Sequence, residues 1–189
     1  YKGHLTLYGN NEPFLDTRIV EFHKYCREQL PDCFIFLSTN GLTLDVDKVK
    51  EIIPYVNQLI INNYCRDMKL HDNVKVIYDY AMAHQEEFEN VELLFQMRYM
   101  DAVLTNRAGS SPNKQNTQKV VKETCLMPYT DMFIFPDGRM GICCCDNFET
   151  STLADLNITP LKDAWNSKPY RELRQAIRNS RGDYGFCKF

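Results

Sequence analysis

The first hundred residues alternate between two hydrophobic patterns. Short apolar runs at residues 4–9, 33–39, 58–64 and 91–99 predict buried strands. Between them, apolar residues recur at helical spacing. Leu15, Ile19, Phe22 and Cys26 form one stripe. Val46, Val49, Ile52, Ile53 and Val56 form a second, which Pro54 bends or ends. Val74, Ile77, Tyr78, Ala81, Met82 and Phe88 form a third. Near-continuous apolar strands separated by helices predict an α/β fold, with a parallel sheet covered by helices. A closed barrel needs more strands than the four seen here.

Residues 106–118 are rich in Gly, Ser, Asn, Pro and Gln and read as a linker. The alternation stops there. Residues 132–135 and 139–143 read as two short strands joined by a Pro136-Asp-Gly138 turn. A helical region over residues 160–179 carries the stripe Leu161, Ala164, Trp165, Tyr170, Leu173 and Ile177. Ser167-Lys-Pro169 interrupts it and suits the cap of a new helix. The pattern divides the chain near residue 112, into domains 1–112 and 113–189.

Composition narrows the function classes. The chain has 189 residues and a formal charge of −3, which gives no electrostatic case for nucleic acid or an anionic membrane. No apolar run approaches the roughly 18 residues that span a bilayer. The first residues lack both an initiator Met and a signal-peptide pattern, so the natural protein is expected to begin earlier. The eight cysteines stand at 26, 33, 65, 125, 143, 144, 145 and 187. A chain with ample core does not need a disulfide scaffold, and three consecutive cysteines suit one poorly. A reducing, cytoplasmic setting with some cysteines on metal is expected.

The second domain carries the strongest chemical signal. Cys125, Gly138 and Cys143 give C-x12-G-x4-C, and the Asp137-Gly138 turn folds Cys143 back towards Cys125. Cys187 follows near the end of the sequence. Thiolates converging from loops and strand ends suit a soft metal or an iron–sulfur cluster. With Asp137-Gly-Arg-Met-Gly-Ile-Cys-Cys-Cys-Asp146, Leu161-Lys-Asp-Ala-Trp-Asn-Ser167 and Tyr170-Arg-Glu-Leu-Arg174, this pattern resembles the SPASM/twitch extension of radical S-adenosylmethionine (radical SAM) enzymes. The resemblance implies one auxiliary [4Fe-4S] cluster on Cys125, Cys143 and Cys187. Cys144 is the rival to Cys143, and a fourth ligand is expected just past Phe189.

The first domain then resembles the radical SAM barrel from its second strand onward. Tyr8-Gly-Asn-Asn-Glu-Pro13 is similar to the Gly-Glu-Pro form of the motif that meets the methionine part of S-adenosylmethionine. Ser38-Thr-Asn-Gly41 is similar to the family's Thr-Asn-Gly strand end. The resemblance implies cofactor contacts from Gly9, Glu12, Asn40, Asn63 and Arg98. Asn62 lies beside Asn63 at the same strand end, and Asn106-Arg-Ala-Gly109 also resembles the family. The C-x3-C-x2-C motif of the catalytic cluster is expected upstream of this sequence.

The implied whole is a partial (β/α) radical SAM barrel followed by a small α+β hairpin–helix domain. The intact enzyme would cleave S-adenosylmethionine reductively to a 5′-deoxyadenosyl radical and take hydrogen from a peptide, protein or small molecule. A flavodoxin or ferredoxin would supply electrons. This stretch alone is expected to be inactive in that cleavage. The alternative is a zinc-binding structural or interaction module on the same cysteines.

The remaining residues read more simply. Cys26, Cys33 and Cys65 read as buried thiols. Glu12 can also cap the segment after Pro13, and Asn62 and Asn63 can simply end a strand. His4, His23, His71 and His84 show no ligand spacing. Trp165 reads as core, and residues 85–89 as a solvated helix end.

Overall fold

The computed structural model describes residues 1–102 and 122–187. The chain forms two compact units, Tyr1–Ala102 and Val103–Phe189. The linker stretch at residues 106–118, the domain limit near 112 and the Asn106-Arg-Ala-Gly109 segment lie outside the described residues.

The first unit is a parallel sheet. Strands β1 (His4–Leu5), β2 (Phe34–Thr39), β3 (Gln58–Cys65) and β4 (Glu92–Tyr99) lie in chain order. Every neighbouring pair is parallel. Helices α1 (Ile19–Gln29), α2 (Val46–Ile52) and α3 (Asp72–Ala83) make the crossovers. Parallel neighbours require such crossovers, so strand–helix alternation in the sequence already dictates this topology. β1 is shorter than the apolar run suggests. Its backbone leaves the ladder after Leu5, ahead of the Tyr8–Pro13 loop.

The two faces of the sheet differ. Ile35, Leu37, Leu59 and Ile61 point to the helices and pack with Val49, Ile52, Val74 and Ile77. The other face is apolar at the start of the strands, with Phe36, Ile60 and Leu94, and polar at their C-terminal ends.

Helix α1 departs from its expected stripe. Ile19 and His23 are buried, whereas Leu15 and Phe22 are exposed. Leu15 belongs to a separate 3₁₀ turn, Pro13–Leu15, so it does not share a helical face with Ile19. His23 can replace an apolar residue because its Nδ1 meets the Ile19 carbonyl at 2.8 Å within the same helix. In α3, Val74, Ile77 and Ala81 form the buried face, and Tyr78 and Met82 remain partly exposed.

The first described element of the second unit is a single-turn helix, α4 (Met127–Thr130). Strands β5 (Phe133–Ile134) and β6 (Arg139–Gly141) form the expected hairpin. Gly138 has φ +87°, and a Cβ there would sit 2.8 Å from the Asn157 amide nitrogen. Glycine relieves both problems. A third strand, β7 (Ala154–Asp155), pairs antiparallel with β6 and was not visible in the hydrophobic pattern, because two residues carry no period. Helices α5 (Leu161–Trp165) and α6 (Lys168–Ala176) are separate, with the break at Ser167. Met140, Ala164 and Tyr170 form one buried cluster, with Trp165 packed against it.

Candidate cofactor and metal sites

In the first unit, the loop after β1 is fastened to the end of β2 by one carboxylate. Glu12 Oε1 accepts from the Thr39 hydroxyl at 2.6 Å and from the Phe14 amide at 3.2 Å. Glu12 Oε2 accepts from the Asn40 amide at 2.7 Å. Glu12 thus caps the turn after Pro13 and also ties two strand ends together. Gly9 donates its amide to Asn11 Oδ1 at 3.0 Å, and Asn40 Oδ1 accepts from Leu42 at 2.9 Å. These bonds fix the backbone at the C-terminal end of the sheet, where parallel α/β folds build ligand sites. Gly41 follows with φ +77°, and a Cβ on it would sit 2.7 Å from Ile61.

Asn62 and Asn63 point to opposite faces, as neighbours on a strand must. Asn63 is fully buried. Its Nδ2 donates to the Lys69 carbonyl at 2.9 Å, and its Oδ1 accepts from the His71 amide at 2.8 Å. Its amide therefore holds the loop after β3. Asn62 lies on the opposite face, where its Nδ2 donates to Ser38 Oγ at 2.7 Å. Its Oδ1 accepts from Arg98 Nε at 2.6 Å. Arg98 also donates to Gln96 Oε1. A polar row, Ser38–Asn62–Arg98–Gln96, thus crosses three strands near their C-terminal ends. The half-buried Arg98 guanidinium has neutral partners in this row and, among the described residues, no carboxylate in salt-bridge range. Gln96 was not singled out in the sequence, and Ser38 only as the first residue of the Ser38-Thr-Asn-Gly41 strand end. Strand alternation places them opposite the apolar core, but only pairing register brings them together.

In the second unit, Cys125, Cys143 and Cys187 pack against one apolar floor of Ile142, Leu173 and Ile177. Each comes from a different segment. The Arg181 amide donates to the Glu123 carbonyl at 3.1 Å, and the Thr124 hydroxyl donates to the Arg178 carbonyl at 2.8 Å. These two bonds bind the Cys125 segment to the one that leads to Cys187. Cys143 follows β6 directly. The Asp146 amide closes a turn onto the Cys143 carbonyl at 3.2 Å, which leaves Cys144 exposed and Cys143 and Cys145 half-buried.

Asp146 stabilises this turn. It is buried, and its carboxylate accepts from the Thr150 amide and hydroxyl at 3.0 Å each. It also accepts from the Ser151 amide and hydroxyl at 2.6 Å each. Burial pushes its acidity down, but these four donors outweigh that and hold its pKa below the ordinary carboxylate value.

The thiols influence one another. A hydrogen bond with Cys145 lowers the pKa of Cys143 against the effect of burial. Burial first, then the neighbouring Cys125, pushes Cys187 up to about 11. Cys187 is therefore a neutral thiol at physiological pH and would release its proton on binding a metal. Soft thiol donors over a dry apolar floor fit an iron–sulfur cluster. Among the described residues, no three of these sulfurs all lie within 4.8 Å of one another. A tetrahedral zinc–thiolate site has sulfurs about 3.8 Å apart, from Zn–S bonds of about 2.3 Å.

No cysteine is in a disulfide. Cys33 and Cys65 are buried in the first unit, as expected, and Cys26 is half-buried. Burial raises the pKa of Cys26 and Cys33.

Residues 125–188 match the family model of SPASM, an iron–sulfur cluster-binding domain. The structure superposes on that of BtrN in complex with AdoMet and 2-DOIA with a TM-score of 0.80 at 19% identity, covering 100% of this chain and 72% of BtrN. The chain thus shares the fold of BtrN, and its residues 125–188 carry the pattern of a SPASM iron–sulfur domain. The open conformation of BtrN gives a TM-score of 0.67 at 15% identity, over 100% of this chain and 71% of that one. SuiB of Streptococcus suis bound to S-adenosylmethionine gives only 0.29 at 17% identity, over 98% of this chain and 47% of SuiB, too low to bear on the fold. No curated protein matches the sequence. No helix of the described residues is long and apolar enough to cross a membrane. The SPASM domain binds iron–sulfur clusters, and the polar strand ends of the first unit occupy the part of the fold that faces cofactor in α/β proteins.

Proposed function

We propose that the intact protein is a radical SAM enzyme of oxidoreductase type, acting on a peptide, protein or small molecule in a reducing, cytoplasmic setting. The observation that carries this reading is the coincidence of the SPASM match with the three thiols on one apolar floor. The first unit would hold S-adenosylmethionine, which with a catalytic iron–sulfur cluster would supply radical chemistry for hydrogen abstraction from substrate. Cys125, Cys143 and Cys187 would hold the auxiliary [4Fe-4S] cluster. The backbone around Gly9 and Asn40, held in place by Glu12, would receive the methionine end of the cofactor. Arg98, held by Asn62 and Gln96, presents positive charge to a carboxylate. Asn63 would act at one remove, by shaping the loop after β3. A flavodoxin or ferredoxin would be the electron donor. The residues 1–189 alone are proposed not to cleave the cofactor.

The deciding experiment is anaerobic iron and sulfide analysis with electron paramagnetic resonance of the reduced protein. About four irons and four sulfides per auxiliary site, lost on Cys125→Ala, support the reading. Stoichiometric zinc without iron would replace it with a structural zinc module.

A further inference from the structure

The surface around Cys125 combines exposed apolar residues with a basic lining, in a chain that is acidic as a whole. Thr124, Leu126, Tyr129, Arg174, Gln175 and Arg178 line an open cleft of about 480 Å³. Thr124 and Leu126 flank Cys125 in sequence, so the cleft is built on the backbone that carries this thiol. Its apolar part is open to solvent. Leu126 is 66% exposed and Tyr129 is 39% exposed, with Met127 beside them at 37%. Its polar part is basic: the lining holds two arginines and no carboxylate. The charge pattern is local, since the whole chain carries a formal charge of −3.

The cleft is held in shape. The Tyr129 hydroxyl donates to the Arg174 carbonyl, which fastens α4 to α6. The Arg174 guanidinium lies 4.0 Å from the Trp165 ring centroid and 5.0 Å from that of Tyr170. It donates to the Pro128 carbonyl at 2.7 Å and to the Trp165 carbonyl at 2.9 Å. Arg174 is therefore a fixed wall, and the exposed Arg178, whose side chain has no partner among the described residues, is the basic arm.

We infer that this face is the docking surface of an acidic one-electron carrier protein, which exchanges electrons with the auxiliary cluster through Cys125. The inference rests on the reading of Cys125 as a cluster ligand. A small apolar centre with a basic margin matches the needs of a transient redox encounter. Such interfaces are small, and opposite charge steers their formation. Thiolate and surface are adjacent along the chain, which keeps the transfer path short. One electron leaves the reduced carrier, which is oxidised by one unit, and enters the cluster, which is reduced by one. No bond forms or breaks.

The test uses reconstituted holoprotein and flavodoxin hydroquinone as the probe. Binding is measured by titration, and cluster reduction by anaerobic stopped-flow absorbance, at low and high salt. Wild type is expected to bind and to be reduced faster at low salt. Arg178→Glu is expected to lower both association and the reduction rate about tenfold or more, as loss of steering does. Leu126→Glu is expected to act in the same direction. Reduction by dithionite and the iron content should be unchanged in both variants. Loaded variants that bind flavodoxin and are reduced by it like wild type would overturn the docking surface alone, as would a salt-independent rate. A Cys125→Ala protein that retains its cluster would overturn the site reading, and the docking surface with it.

Discussion

Asn62 Oδ1 accepts a hydrogen bond from Arg98 Nε at 2.6 Å, joining the ends of β3 and β4 on the face opposite the helix-packed core. The adjacent Asn63 is wholly committed to a loop. One amide orients a charge, and its neighbour supports the backbone.

These two asparagines should therefore fail differently. Asn62→Leu is expected to weaken S-adenosylmethionine binding roughly tenfold, the equivalent of one charge-assisted hydrogen bond of about 1.5 kcal/mol. Asn63→Leu is expected to lower stability by about 2 kcal/mol, because it leaves the Lys69 carbonyl and the His71 amide without their partner in a part-buried loop. Equilibrium dialysis with the cofactor and urea unfolding measure the two effects. Equal loss of affinity in both variants would contradict the division of roles.

Cys143 and Cys144 are separated by burial. Cys143 rests on the floor of Ile142, Leu173 and Ile177, whereas Cys144 is exposed at the turn. Cys143→Ala should lose the auxiliary iron, and Cys144→Ala should keep it. Iron per chain after anaerobic reconstitution is the readout, and the reverse pattern would reassign the ligand.

Glu12 holds two strand ends through three donors. Glu12→Ala should cost roughly 2–3 kcal/mol, since the Thr39 hydroxyl and Asn40 amide lose a charged acceptor. Glu12→Gln should cost less, because one carbonyl oxygen remains. A chemical denaturation series compares the three proteins. An alanine variant as stable as wild type would show that the clamp contributes nothing.

His23 should make the fold sensitive to mild acid. Burial holds its pKa below the ordinary 6.5. As pH falls through 6.5, the unfolded chain takes up a proton that the folded chain resists, so stability falls; above that range the effect vanishes. The urea midpoint at pH 5 should lie below that at pH 7.5, and His23→Leu should narrow the gap. An unchanged gap would assign the acid sensitivity to other groups.

The parallel sheet was legible because buried strands need continuous apolar runs and crossover helices need one apolar stripe. α1 was misread through Phe22 because a histidine can enter a core if its own helix supplies a hydrogen-bond partner, and hydropathy does not register that. The Asp137-Gly138 turn was legible because only a few residues tolerate its backbone. β7 was not, because its pairing with β6 is decided by distant contacts.

By itself the sequence determined the α/β class, the hairpin of the second unit and the three thiols offered for a soft metal. These follow from local periodicity, turn chemistry and residue type. Only the tertiary structure decided that Glu12 clamps β2, that Asn62 rather than Asn63 adjoins Arg98, and that Asp146 shapes the turn after Cys143. It also decided that Leu126, Tyr129 and Arg178 share one cleft beside Cys125. The physical reason is common to all four: each depends on strand register or on hydrogen bonds that close only after packing, and those are set by the chain as a whole.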